Sequence, residues 1–377
     1  MTSNPVIIIP GPGRSGLYLA DENGNKTKRV WPVELDTKAL LDEMKGSLMK
    51  ILLFRTDAGF SDKIASVVND ATAPFALSED GIPVNNIKTA LSSSCYGECS
   101  EGEKKFINDT FPVSRLAAAR GEDKIFYFEY NFLGNVLRNA EALTSLVSEV
   151  KEKTGCETVD FIVMSTGASV FKAWLKQNAV SYTNGKVVFV TAFLDGASAV
   201  ADVYEGKLNL ENPASILASL GEKGATLAQA AGMLPKEIIE NVITKSMNVL
   251  RRNILDNSPS LWALIPVKRL DGALAELKPS AGLLADINEN RRATENVKEA
   301  LRLLQSNGVR LAFVCGKGKR LPEAFASSDV DCDGILDASS ASLDGEFAEN
   351  TLFSEGIEHT VTAKNDELIS FVENFLA

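Results

Sequence analysis

The chain predicts an α/β fold, a mostly parallel central sheet with helices on both faces and a helical insertion. Three observations point to it. Apolar runs of strand length recur at 6–9, "KIFYFEY" (124–130), "VDFIVM" (159–164), "KVVFVTA" (186–192) and "VRLAFVCG" (309–316). Segments of helical period lie between and after them. Residues 205–300 carry almost purely helical patterning.

Taken in order, Val6, Ile7, Ile8 and Ile9 form a β-branched run bounded by Pro5 and Pro10. "GPGRSG" follows at once and matches G-x-G-x-x-G. A dinucleotide loop also needs a helix opening within it and an acid about 20 residues on. Neither is present. "LYLADENGNKTKRVWP" has no 3.6-residue apolar period, Asn23-Gly24-Asn25 is a turn, and Glu34 and Asp36 come only after Trp31-Pro32. The nucleotide reading is set aside. Residues 33–120 form a long excursion, polar and loop-rich around "LSSSCYGECSEGE".

In "NVLRNAEALTSLVSEVKEKTG", Val136, Ala140, Leu143, Val147 and Val150 share one helical face, and Gly155 suits a C-cap. "TGASVFKAWLKQ" and the final "NDELISFVENFLA" are helical as well. The expected division is a core of 1–204 and 301–377 with a helical cap or lid over 205–300, interrupted by "NSPSLWALIP". In that interruption Trp262 and Leu264 are expected either as packing or as part of a lid over an acyl pocket. A membrane-docking role for the same patch is the minor alternative.

A net charge of −11 opposes nucleic-acid binding, which requires a basic surface. No apolar run approaches the roughly 18 residues of a membrane span. "MTSNPVIII" lacks a signal peptide's basic start and apolar core, which implies a cytoplasmic protein. The five cysteines (Cys95, Cys99, Cys156, Cys315, Cys332) are scattered, "CYGEC" is not C-x-x-C, and reduced thiols are expected. His359 is the only histidine, which excludes chemistry that needs two. No cofactor is expected.

The run ending at Met164 leads directly into Ser165-Thr166-Gly167 and a helix. A serine on a sharp strand-to-helix turn is the arrangement of a nucleophile elbow, which lifts Oγ clear of the backbone. The usual pattern is G-x-S-x-G; here Val163 takes the first glycine's place. In such sheets an acid follows after a late strand and a histidine precedes the last helix. "SSDVDCDGILDASSASL" and then "SEGIEHTVTAKNDELISFVENFL" supply both in that order, with His359 just before the terminal helix.

At this point the chain resembles the lecithin:cholesterol acyltransferase-like branch of the α/β hydrolases. "PVIIIPG" is similar to that family's first strand and P-G loop, and Val30-Trp31-Pro32 to its V-W-P. "IFYFEYN" resembles F-x-Y-D-W, with Asn131 and Phe132 replacing Asp and Trp. "TGCETVDFIVMSTGASV", "SPSLWALIP", "DCDGILDASSASL" and "GIEHTVTAKNDELISFV" resemble further family segments, in the family's order and across nearly the whole chain. The resemblance implies an α/β-hydrolase fold with Ser165 as nucleophile, Asp333 as acid and His359 as base. It also implies an oxyanion hole from the backbone of Thr166 and of the residue after Pro10-Gly11. That residue is Pro12, which has no N–H, so either Gly13 donates or the hole is incomplete.

The implied activity is hydrolysis or transfer of an acyl group from a small-molecule or lipid ester. The alternative is a hydrolase-like binding protein with weak or lost chemistry. The aspartates also admit a minor reading as a calcium loop, since Asp329, Asp331, Asp333 and Asp337 have D-x-D-x-D-G-x-x-D spacing. Its twelfth position is Ser340 rather than glutamate.

Overall fold

A computed structural model describes residues 3–33, 37–209, 234–362 and 365–377. Glu34, Asp36, the expected helical stretch 210–233 and Ala363-Lys364 lie outside the described residues.

The strands in chain order are β1 Val6–Ile9, β2 Leu17–Ala20, β3 Lys26–Trp31, β4 Ile87–Thr89, β5 Ile125–Tyr127, β6 Asp160–Met164, β7 Lys186–Val190, β8 Arg310–Lys317 and β9 Thr351–Glu355. Six of them form a sheet of order β5-β1-β6-β7-β8-β9, and every neighbouring pair is parallel. The apolar runs are continuous rather than alternating because both faces are covered. Ile7, Ile9, Phe161, Val163, Val187, Phe189, Leu311 and Phe313 face one core. The helices Val136–Thr154, Gly167–Asn178 and Val297–Ser306 pack there. Val6, Ile8, Ile162, Met164, Val188, Val190, Ala312 and Val314 face the other core, under Glu101–Thr110, Ser114–Arg120 and Asp366–Leu376.

The order reverses at one place. After β1 the chain crosses to β5 on one side, then returns to β6 on the other. The crevice between the carboxyl ends of β1 and β6 is therefore the topological switch point, where open α/β sheets bind ligands. Its two loops are Pro10–Pro12 and Ser165–Thr166. At the opposite end of the sheet, the buried Arg120 guanidinium meets Asp160 at 2.9 Å and also donates to the backbone carbonyl of Leu376, closing the C-terminal helix onto β6.

The segment after "GPGRSG" is strand, as its missing helical period implies. β2 pairs antiparallel with β3 and β4 in a second, three-stranded sheet. The hairpin turns at Gly24, whose φ of 80° lies in the left-handed region. Gly155 caps its helix at φ 65°.

Three expectations are corrected. The excursion 33–120 is loop-rich only over 76–100, around Cys95 and Cys99; on either side it holds helices Thr37–Phe54, Phe60–Thr72, Glu101–Thr110 and Ser114–Arg120. Glu101–Thr110 opens on a reciprocal capping box between Ser100 and Glu103. Phe60–Thr72 is held by distant packing, since Ile51 and Phe60 cluster with Ile238 of Lys236–Asn253, which no local pattern discloses. The second run is strand only over Ile125–Tyr127. An edge strand at Thr351–Glu355 was not anticipated, because its mixed "TLFSE" is half exposed.

Candidate active site

Ser165 follows β6 with a φ of 48°, a left-handed backbone that costs a non-glycine residue on the order of 1–3 kcal/mol. The surroundings hold it there. Its N–H donates to Val190 O at 3.0 Å, and its carbonyl accepts from Phe193 N at 3.0 Å and Ala168 N at 3.2 Å. The helix Gly167–Asn178 starts two residues on, and a Cβ on Gly167 would lie 2.7 Å from the carbonyl oxygens of Ile9 and Pro10. That near-contact gives the glycine of S-x-G its reason: the helix approaches β1 too closely for a side chain. Val163, where a glycine is usual, is an ordinary buried strand residue opposite Ile9 and Phe189.

The loop after β1 lies against the serine. A Cβ on Gly11 would stand 2.8 Å from Ser165 Cβ and 3.1 Å from Oγ. Gly13 has φ 74°, and a Cβ on Gly16 would meet Ala90 Cβ at 2.6 Å. The three glycines of "GPGRSG" thus answer three separate steric demands, none of them a phosphate. The continuation of β5 fixes the loop. Tyr127 Oη donates to Arg14 O at 2.7 Å, Tyr130 N to Ser15 Oγ at 3.2 Å, Tyr130 Oη to Pro10 O at 2.8 Å and Gly16 N to Glu129 Oε1 at 2.7 Å. Burial pushes the Glu129 carboxyl above its usual range, while the Leu91 and Gly16 amides oppose the shift.

Asp333, from the loop beyond β8, and His359, before the last helix, reach the same end of the sheet. Ser165 Oγ lies 2.9 Å from His359 Nε2, and His359 Nδ1 lies 2.7 Å from Asp333 Oδ2. Asp333 Oδ1 accepts from Leu336 N at 2.8 Å and Ile335 N at 3.1 Å, and the Asp333 carbonyl accepts from His359 N at 3.0 Å. The carboxylate is 1% exposed and the imidazole 11%. Phe193 packs edge-on against the imidazole at 5.7 Å between centroids. A carboxylate on Nδ1 selects the tautomer with its proton there and leaves Nε2 to accept from the serine hydroxyl.

Of the oxyanion candidates, Thr166 follows Ser165 directly, while Pro12 is exposed and can donate nothing from its backbone. The carbonyl of Gly13 accepts from Trp31 Nε1 at 3.1 Å. Beside Thr166 lies a cavity of about 10 Å³ whose walls include Pro12, Thr166, Ser169, Leu261 and Leu264. Ser169 Oγ is buried there and has no hydrogen-bond partner among the described residues. A wider groove of about 760 Å³, with Asp80, Arg138 and Asp286 in its walls, includes none of Ser165, Asp333 and His359.

Of the two expectations for Trp262, packing and lid, the structure places it in packing. It is 1% exposed, packs on Tyr204 at 4.8 Å and donates from Nε1 to Asp256 O, in a satellite core rather than in the cavity wall. Leu264 does reach the cavity, and Leu261, unnamed by the sequence reading, joins it. Trp262, Ala263, Leu264 and Ile265 are buried, which corrects their reading as a membrane-docking patch.

The calcium spacing is also dispersed in space. Asp331 accepts from Gly318 N, Asp333 turns to His359, Asp337 accepts from Ser198 N and Oγ, and Asp329 is 98% exposed beside Arg320. Among the described residues no three potential ligands converge. Burial pushes the Cys99 and Cys332 thiols up to about 11 and Cys315 to about 12, so none is poised as a nucleophile. Phe193, Gly11, Ser169 and Leu261 were missed as site residues. Only Gly11, beside Pro10 at a strand end, carried a local signal.

The sheet order, with Ser165 on the turn at its switch point, defines an α/β-hydrolase fold. No family model matches the chain, and no curated protein does. Among solved structures it is similar to the lipase BlEst2 of Bacillus licheniformis in mature form, at 13% identity and a TM-score of 0.35, over 72% of this chain and 86% of that one. It is also similar to the siderophore hydrolase EstB of Aspergillus fumigatus, at 14% identity and a TM-score of 0.30, over 71% and 83% of the two chains.

Proposed function

We propose that the protein is a serine hydrolase of carboxylic esters, acting through an acyl-enzyme. The observation that carries this is the unbroken chain from Ser165 Oγ through His359 to a buried, doubly amide-bonded Asp333, with the serine on a strained turn at the switch point. In this reading Ser165 Oγ attacks the ester carbonyl carbon while its proton passes to His359 Nε2. Collapse of the tetrahedral intermediate breaks the bond to the alcohol oxygen, which takes that proton and leaves. Water, deprotonated by His359, then attacks the acyl carbonyl carbon; collapse breaks its bond to Ser165 Oγ, which takes the proton back from His359 as the acid leaves. Asp333 holds the imidazole in register and stabilises its cation. The Thr166 N–H is the first oxyanion donor, Gly13 supplies the second in place of Pro12, and the N-terminus of Gly167–Asn178 adds a favourable field.

The order of resembling segments supports placement in the lecithin:cholesterol acyltransferase-like branch, with 205–300 as its cap. An alcohol in place of water would make the same acyl-enzyme a transferase intermediate. The unpaired cysteines support a reducing compartment, the cytoplasm, and no described helix is long and apolar enough to cross a membrane.

Pro12 favours a second reading, a hydrolase-like binder, because one lost oxyanion donor costs about 10²–10³ in rate. Labelling by a fluorophosphonate separates the two. The expected result is stoichiometric modification of wild type at Ser165 and none in Ser165→Ala. Folded wild-type protein that never labels would leave the binder.

A further inference from the structure

We infer that Lys172 is a positioning residue of the active site: its buried ammonium clamps the turn that carries Phe193, and so sets the nucleophile and the imidazole in register with each other and with the helical insertion. This role rests on the hydrolase reading above and extends that site by one residue. The segment after β7, residues 191–198, touches the surroundings of all three triad members. Thr191 enters it with a φ of 43° and donates from N to Val314 O at 2.8 Å. Leu194 N donates to Ala192 O at 2.9 Å, which closes a three-residue turn with Phe193 at its apex. From that apex the Phe193 N–H holds the Ser165 carbonyl, and the Phe193 ring packs against His359. Beyond the turn, Asp195 N donates to Ser340 Oγ at 3.0 Å, and Ser198 N and Oγ donate to Asp337. Asp337 and Ser340 lie a few residues past Asp333.

All of this segment except Asp195 is buried, and a buried loop must find a partner for each polar backbone group. Among the described residues no backbone amide donates to Leu194 O. Its donor is Lys172 Nζ at 2.9 Å, from the helix that follows the nucleophile, with the lysine 3% exposed. The same nitrogen donates to Thr294 Oγ1 at 2.9 Å, on the helix Ala281–Glu295 of the insertion, and that hydroxyl donates onward to Asn290 O at 3.1 Å. One ammonium thus joins the nucleophile's helix, the Phe193 turn and the insertion. Its burial disfavours the charged form, and the lowered pKa follows from that. An apolar side chain of the same reach would fill the space without this penalty. It could not donate to Leu194 O, and that bond is what the lysine adds.

The test is a double-mutant cycle of Lys172→Met and Phe193→Ala, read as kcat and KM on p-nitrophenyl acetate and as the rate of fluorophosphonate labelling, on folded protein below each variant's Tm. Lys172→Met should lower kcat and labelling about 10–10²-fold with KM nearly unchanged, the scale of a misplacement approaching 1 Å. In the Phe193→Ala background the same substitution should cost less than ~3-fold, because the side chain it acts through is gone. Additive losses, or wild-type kcat in Lys172→Met, overturn the inference and leave the hydrolase reading standing so long as wild type labels at Ser165. Wild type that does not label overturns that reading and this inference with it. If Lys172→Met does not fold, Thr294→Val and Thr294→Ser decide. The valine variant should lose about 3-fold or more in kcat, and the serine variant, which keeps the acceptor oxygen, should recover it. Wild-type kcat in both, or a loss that serine does not recover, overturns the clamp.

Discussion

Gly11→Ala isolates the contact between the loop after β1 and the nucleophile. The backbone at Gly11 is outside the left-handed region, so alanine is conformationally admissible and only the added methyl matters. It would stand 2.8 Å from Ser165 Cβ and 3.1 Å from Oγ. Ordinary carbon contacts are about 3.5–4.0 Å, so the serine or the loop must retreat by roughly 0.7–1.2 Å. Ser165 cannot retreat alone, because hydrogen bonds to Val190 and Phe193 pin its backbone. The movement falls on Oγ and its 2.9 Å hydrogen bond to His359. A misplacement of about 1 Å costs on the order of 10²-fold in rate. Overpacking adds ~1–3 kcal/mol of destabilisation, which a domain of ordinary stability survives. The assay is kcat on a soluble acetate ester together with the fluorophosphonate labelling rate, both well below the variant's Tm. Gly46→Ala is the control: its added methyl meets nothing within 4 Å in an exposed stretch of helix, and it should stabilise by about 0.5–1 kcal/mol with unchanged kcat. Wild-type labelling and turnover in Gly11→Ala would refute the reasoning.

Asp333→Asn keeps an oxygen for the Ile335 and Leu336 amides but presents the imidazole with the wrong partner; kcat should fall about 10⁴-fold with little change in Tm. Trp262→Ala should lose about 3–5 kcal/mol by denaturant titration, while the folded fraction labels at the wild-type rate; slower labelling of folded protein would place Trp262 in the site after all. Lys172, buried in the helix after the elbow and donating to Leu194 O and Thr294 Oγ1, has its pKa lowered by burial from 10.5 to about 8, with Asp195 opposing. Between those values the unfolded chain binds more protons than the folded one, so the folded state gains stability as pH rises from about 8 to about 10.5. The stability difference between wild type and Lys172→Met, followed by denaturant titration, should increase across that window; a flat difference refutes the burial argument.

The sequence alone determined what local chemistry encodes. Continuous β-branched and apolar runs marked five strands of the buried sheet, 3.6-residue periods marked the helices beside them, and Gly155 and the Asn23-Gly24 turn marked ends of elements. The order of sheet elements also pointed to Ser165 and His359, and the family resemblance singled out Asp333 among the aspartates after β8, as the proposed triad. Tertiary structure decided the rest, because those matters depend on residues far apart in the chain. The glycines of "GPGRSG" are needed because Ser165, Trp31 and Ala90 come to meet them. Phe60–Thr72 rests on an insertion helix from the other half of the chain. The four aspartates of one short loop point to four different neighbours. Trp262 and Leu264, two residues apart, serve a satellite core and a cavity wall respectively: a short helical turn sends neighbouring side chains to different faces, and only the packed partners show which face meets the site.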